Sequence, residues 1–160
     1  KRGEFTSKDS IHFSDSLKYY TLRKHRVVYG GGGIMPDYFV PLDTMQYTKF
    51  HRQLSAKSII INANLKYIDN NRKDLKKKYP TFTKFEADYE VPQSLIDDII
   101  KEADKQKIKP KDDAELQSTI PPLKNQLKAL VARDLWDMNE YFKITNERND
   151  VVKKALELLK

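Results

Sequence analysis

"VPLDTMQYTKFHRQL" (40–54) is where the chain changes its period, and the fold class turns on how it is read. Before it stand short, strand-like runs. After Asp43, apolar residues recur at helical spacing: Met45, Tyr47, Phe50 and Leu54 follow a residue, Asp43 or Thr44, that can cap a helix. Pro41 has no N–H to give a ladder and so ends the extended part in "YFVPLD", a third short strand. The expectation is a mainly α chain with a small β portion: a hairpin and short strands over 1–43, then a helical bundle over 44–160.

Working downstream, "SAKS" separates the first helix from a longer one. There Ile61, Leu65, Ile68, Leu75 and Tyr79 recur at helical spacings, Arg72 interrupts the stripe, and Pro80 stops it. Thr81 can cap a short helix bearing Phe82, Phe85 and Tyr89. Pro92 suits the first turn of the next, whose apolar face is Leu95, Ile96, Ile99, Ile100 and Ala103. Asp112 or Asp113 opens a further helix. Pro121 and Pro122 each remove a backbone donor and crowd the preceding turn, about 3 kcal/mol in a helix interior, which predicts a break and a new segment there. "DMNEYFKITNERND" (137–150) reads as a bridge, and Val151, Val152, Ala155, Leu156 and Leu159 mark a last helix.

Upstream, "SIHFSDSLKYYTL" (10–22) is rich in aromatic and β-branched residues and predicts a strand with His12, Ser14 and Ser16 on one face. A hairpin follows: Lys18 to Leu22, a turn near Arg23 to His25, then Arg26 to Tyr29. Four of the chain's five glycines stand next, Gly30 to Gly33, ahead of Pro36 and Asp37. A phosphate-binding loop would continue with Lys and Ser or Thr and open a helix; this run continues with Ile34, Met35 and Pro36. The six residues Gly30, Gly31, Gly32, Gly33, Pro36 and Asp37 are therefore read as a structural loop. The glycines allow positive φ or close backbone approach, and Asp37 can bond nearby N–H groups.

Composition narrows the function. The chain has 160 residues, 39% hydrophobic and 33% charged, with no run of about 18 apolar residues to cross a membrane. Without cysteine it makes neither disulfides nor thiolate metal sites. No His pair has zinc-ligand spacing, so no metal or cofactor is expected. His12, Ser14, Asp15 and Ser16 do not make a triad on a strand, because an acid on the opposite face cannot orient the imidazole. The net charge is +7, and nine basic against two acidic residues in 44–80 account for an excess of that size. Arg72, Lys73, Lys76, Lys77 and Lys78, with Tyr67 and Tyr79 nearby, form a basic stripe. An ordinary solvated helix face is the favoured reading, and an independent module binding nucleic acid or an anionic surface is the alternative.

The segment "LKYYTLRKHRVVYGGGGIMPDYFVPLDT" (17–44) resembles the carboxyl-terminal processing peptidases, or tail-specific proteases, in a strand and glycine motif that lies beyond their catalytic residues. The match falls on Tyr20, Thr21, Arg26, Val28, Tyr29, Gly30 to Gly33, Ile34, Pro36, Asp37 and Val40. His25 stands where the family pattern has glycine. "SIHFSDSLKY", "LKALVARDLW" and "DVVKKALELL" resemble the long helical tail of one bacterial branch. The resemblance implies that the parent is a serine endopeptidase with a lysine general base and a PDZ domain that grips polypeptide substrates. Both catalytic motifs precede the matched segment, so no catalytic residue is carried over. This chain is then the non-catalytic C-terminal region, with a structural, positioning or oligomerisation role. Its partners would be the upstream peptidase and PDZ parts, with pairing of its helices to a second copy a further candidate. The resemblance also implies a periplasmic or cell-envelope location in a bacterium.

Overall fold

The computed structural model describes residues 14–30, 38–41 and 47–159. The chain divides into two compact units, Lys1–Thr44 and Met45–Lys160. The class is mainly α with a small β portion: among the described residues there are seven α-helices and one two-stranded antiparallel sheet.

In the first unit, β1 (Lys18–Tyr20) pairs with β2 (Val27–Tyr29), Tyr19 opposite Val28. Thr21 closes the turn. Its N–H donates to the Arg26 carbonyl (3.0 Å), its carbonyl accepts from the His25 N–H (3.1 Å), and its hydroxyl accepts from the Arg26 N–H (3.0 Å). His25 sits at φ 47°, a left-handed conformation that glycine adopts without strain, so the residue type is at odds with its backbone. Two expectations fail here. Asp15–Leu17 is a 3-10 turn instead of strand, with Ser14 and Ser16 hydroxyls bonded at 2.7 Å: short hydroxyl side chains stabilise turns in competition with a ladder. Residues 38–41 form no strand, in keeping with Pro41 and the lack of a partner among the described residues; residues 42 and 43 of that expected strand lie outside them. His12 lies outside the described residues.

In the second unit, Thr48 starts α1 (Lys49–Ala56), its hydroxyl accepting the His51 N–H. The expected caps, Asp43 and Thr44, lie outside the described residues, and the helix begins later because Thr48 takes that role. Ser58, at φ 56°, breaks the chain into α2 (Ile59–Lys78). Thr81 caps α3 (Phe82–Asp88) as read; α4 (Gln93–Lys105) follows, with Pro92 at its cap. Asp112 caps α5 (Asp113–Leu135) through the Glu115 N–H at 2.8 Å.

The expected break at Pro121 and Pro122 is overturned: α5 runs through both prolines. The carbonyls they leave without a donor belong to Gln117 and Ser118, four residues back, and both residues are exposed, where solvent offers an alternative donor. The "bridge" over 137–150 is overturned as well. It holds α6 (Met138–Asn146), capped by Asp137 through the Asn139 N–H (2.6 Å) and anchored by buried Ile144. α7 (Asp150–Leu158) buries none of its side chains.

The core lies between α2, α4 and α5, with α1 against α2 and α5 and α6 along α5. The register of α2 differs from the apolar pattern. Ile60, Asn64, Ile68 and Leu75 are its buried stripe, while Leu65 is 45% exposed and Ile61 half-buried. The polar member is what displaced the reading. Asn64 donates to the Asp134 carboxylate at 2.7 Å, Arg133 pairs with the same carboxylate at 2.8 Å, and Arg72 donates to the Asp134 carbonyl. A second polar joint ties α1 to α5. Glu115 accepts the Phe50 N–H (3.0 Å) and the Lys111 N–H (2.6 Å), and the Thr48 hydroxyl meets that of Thr119 at 2.6 Å. Those backbone bonds, first from Lys111 and then from Phe50, hold the Glu115 carboxyl below its ordinary pKa.

Candidate functional site

Of the predicted structural loop, Gly30 is described; Gly31, Gly32, Gly33, Pro36 and Asp37 lie outside the described residues. Gly30 donates its N–H to the Leu17 carbonyl at 2.8 Å, continuing the hairpin past β2. A Cβ there would stand 3.0 Å from the Tyr19 ring, a close approach that a larger residue could take up only if that exposed ring shifted slightly.

The basic stripe is real as a surface but its members have different tasks. The Arg72 guanidinium is spent on the last turn of α5, and Lys78 lies over the Tyr79 ring at 5.2 Å. Lys73, Lys76 and Lys77 are exposed near the C-terminus of α2, where positive charge complements the unpaired carbonyls. Tyr79 is buried in an aromatic cluster with Phe85 and Tyr89, so it offers no stacking face to a base. Burial pushes the Tyr89 hydroxyl pKa well up, with the Tyr67 hydroxyl beside it adding to the rise.

A hollow lies elsewhere, a groove of about 740 Å³ between α2 and α4. Its floor is apolar: Ile59 and Leu95 are buried, and Ala63 keeps it deep. One wall is a stripe of α2 at spacings of four, Asn62, Lys66 and Asn70; the other is Asp98, Lys101, Glu102 and Lys105 of α4. This follows from how the helices bury their other faces. Ile60, Asn64 and Ile68 turn inward from α2, and Ile96, Ile99 and Ala103 from α4, which leaves these polar rows to rim the gap. The Asn62 and Asn70 amides are exposed and have no hydrogen-bond partner among the described residues. Glu102 accepts from Gln106 (3.1 Å) and Lys105 (3.2 Å), which holds its carboxyl below the ordinary range; the positive charge of Lys66 adds to the effect. Sequence reasoning missed this groove because polar residues four apart on a helix read as a solvated face.

A smaller polar site surrounds His51. It is buried, its ring stacks on Tyr47 at 4.6 Å, and its Nε2 has no partner that meets hydrogen-bond geometry. Burial pulls its pKa below 6.5, with the Gln126 amide opposing the shift. Neither place assembles a nucleophile with a base. Among the described residues no three metal-ligating side chains converge, and no helix is long and apolar enough to cross a membrane.

One family model matches the chain, over residues 50–137, and its description is a family of unknown function, DUF8443. The match runs from α1 to the cap of α6 and takes in both walls of the groove. Neither a curated protein nor a solved structure matches the chain.

Proposed function

The chain belongs to the DUF8443 family of unknown function; from the motif over 17–44, not from that family, we propose that it is the non-catalytic C-terminal region of a tail-specific serine endopeptidase. In this reading the hairpin completes the sheet of the peptidase part, and the helical unit holds that part in place. The observation that carries it is the state of the hairpin. Tyr19 and Tyr20 are 57% and 59% exposed, Val27 and Val28 are 45% and 40% exposed, and among the described residues neither outer edge has a strand partner. An isolated two-stranded hairpin is marginal in water, and an edge of aromatic and β-branched residues is a template for further pairing. The resemblance over 17–44 is what suggests the peptidase sheet as that partner.

The test has two arms. The 160-residue chain alone should release no fragments from fluorescein-labelled casein, and backbone amides 18–29 should exchange rapidly. Joined to its upstream polypeptide, the same amides should become protected. Proteolysis by the isolated chain, or slow exchange of the hairpin without a partner, would overturn the proposal.

The second reading, a basic surface for nucleic acid, is supported by exposed Lys73, Lys76 and Lys77 alone. Absence of oligonucleotide binding at low salt removes it.

A further inference from the structure

We infer that the groove between α2 and α4 binds an extended stretch of polypeptide through its main chain. Three observations meet there. The groove measures about 740 Å³, within the range of ligand-binding clefts, and its apolar floor suits small side chains. The wall of α2 then offers a hydrogen-bonding group at every fourth residue, Asn62, Lys66 and Asn70. At 1.5 Å per residue these are spaced about 6 Å apart along the helix. An extended chain repeats its same-facing groups every two residues, about 6.6 Å, so the two rows stay nearly in step across the site. Each primary amide both donates and accepts, which matches the N–H and C=O of a peptide unit. Among the described residues the Asn62 and Asn70 side chains make no bond that a ligand would have to break.

Charge decides against the other polymers. The rim carries Lys66, Lys101 and Lys105 against Asp98, Glu102 and Asp104, a balance of zero. A phosphate backbone would meet as much repulsion as attraction there. A glycan would want an exposed aromatic platform, whereas Tyr67, the groove's aromatic residue, is half-buried beside Tyr89. The biological setting, an unfolded chain on its way to a peptidase, rests on the function proposed above; the binding itself does not.

The test uses the whole 160-residue chain, labelled with 15N, and a pool of capped twelve-residue peptides with randomised uncharged sequence. Side-chain and backbone resonances of Asn62, Lys66, Asn70 and Asp98 should shift and saturate, with little dependence on added salt. Asn62→Ala with Asn70→Ala should weaken binding about tenfold, the loss of two neutral hydrogen bonds, and leave the helical circular dichroism unchanged. A pool of N-methylated peptides, which lack main-chain donors, should leave the unaltered protein's spectrum still. A silent peptide pool would overturn the inference. So would equal shifts from the N-methylated pool, undiminished binding by the double variant, or shifts at these residues from a chito-oligosaccharide or a DNA oligonucleotide in place of peptide. Because no peptidase is present, failure here leaves the support role standing, and proteolysis by the isolated chain leaves the groove standing.

Discussion

Asn64→Asp exchanges an amide for a carboxyl in the middle of the helical unit and tests whether the α2–α5 link is as described. Asn64 is fully buried, and its amide donates to the Asp134 carboxylate at 2.7 Å. An ionised carboxylate at position 64 would lie in contact with that of Asp134, costing about 4 kcal/mol at 4 Å and an effective dielectric constant of about 20. The new side chain can escape by taking up a proton and donating it to Asp134, which restores the bond. At pH 7 that means protonating a group whose free pKa is about 3.9, about three units at about 1.36 kcal/mol each, again about 4 kcal/mol. Both routes give the same ceiling. The sign follows from linkage: the folded variant binds a proton that the unfolded chain does not, so its deficit shrinks by about 1.36 kcal/mol for each pH unit lowered and vanishes near pH 4. Urea unfolding followed by the fluorescence of Trp136, the chain's one tryptophan, packed 5.3 Å from Phe85, measures the difference from the unaltered protein at each pH. A deficit under about 1 kcal/mol at pH 7, or one that does not change with pH, refutes a buried Asn64–Asp134 contact.

Four further outcomes are expected. Ile68→Ala should cost about 2–5 kcal/mol and Leu65→Ala less than about 1 kcal/mol in the same urea assay, since Ile68 is 1% exposed and Leu65 45%. Stability should be full above pH 6.5 and decline below it, because the unfolded chain protonates His51 more readily than the fold does; His51→Met should flatten that decline. A second decline should begin as the pH falls through the ordinary carboxylate range, where the unfolded chain protonates Glu115 while the fold's two backbone donors keep it ionised. His25→Gly should relieve the left-handed strain, worth about 1 kcal/mol, and slow exchange of the Thr21 and Arg26 amides about fivefold.

Local chemistry was the part of the fold most plainly written in the sequence. Thr81 and Asp112 act as the caps their types suggest, and the Leu95, Ile96, Ile99 and Ala103 face of α4 is buried as its period requires. What escaped was tertiary. Asn64 occupies a core position because Asp134, seventy residues away, supplies its partner, and no periodicity of apolar residues can register that. The prolines of α5 are tolerated because they fall beside exposed carbonyls, a fact of orientation absent from their identity. α6 is a different kind of miss. Asp137 followed by Glu140 three residues on is a helix-start signal that outweighed the polar look of the segment. The groove was legible only in part: Asn62, Lys66 and Asn70 share a face by count, but only the approach of α4 turns that face into a wall.

The distribution of burial separates what the chain can do unaided from what it cannot. Among the described residues every buried apolar side chain except Ile144 lies between Phe50 and Leu135. A core of that extent, with its helix starts capped by Thr48, Thr81 and Asp112, meets the requirements for independent folding. The hairpin meets none of them: its strands are three residues each, and Leu22 at its turn is 95% exposed. Marginal strands persist when an outside partner supplies the missing ladder and covers the missing face, and the cost of ordering them is then charged to that association. The helical unit therefore has a core of its own, and among the described residues the hairpin has unpaired outer edges. Hydrogen exchange slow in α2, α4 and α5 and fast in β1 and β2 would separate the two, and protection of β1 and β2 by an added strand would place the dependence in the hairpin.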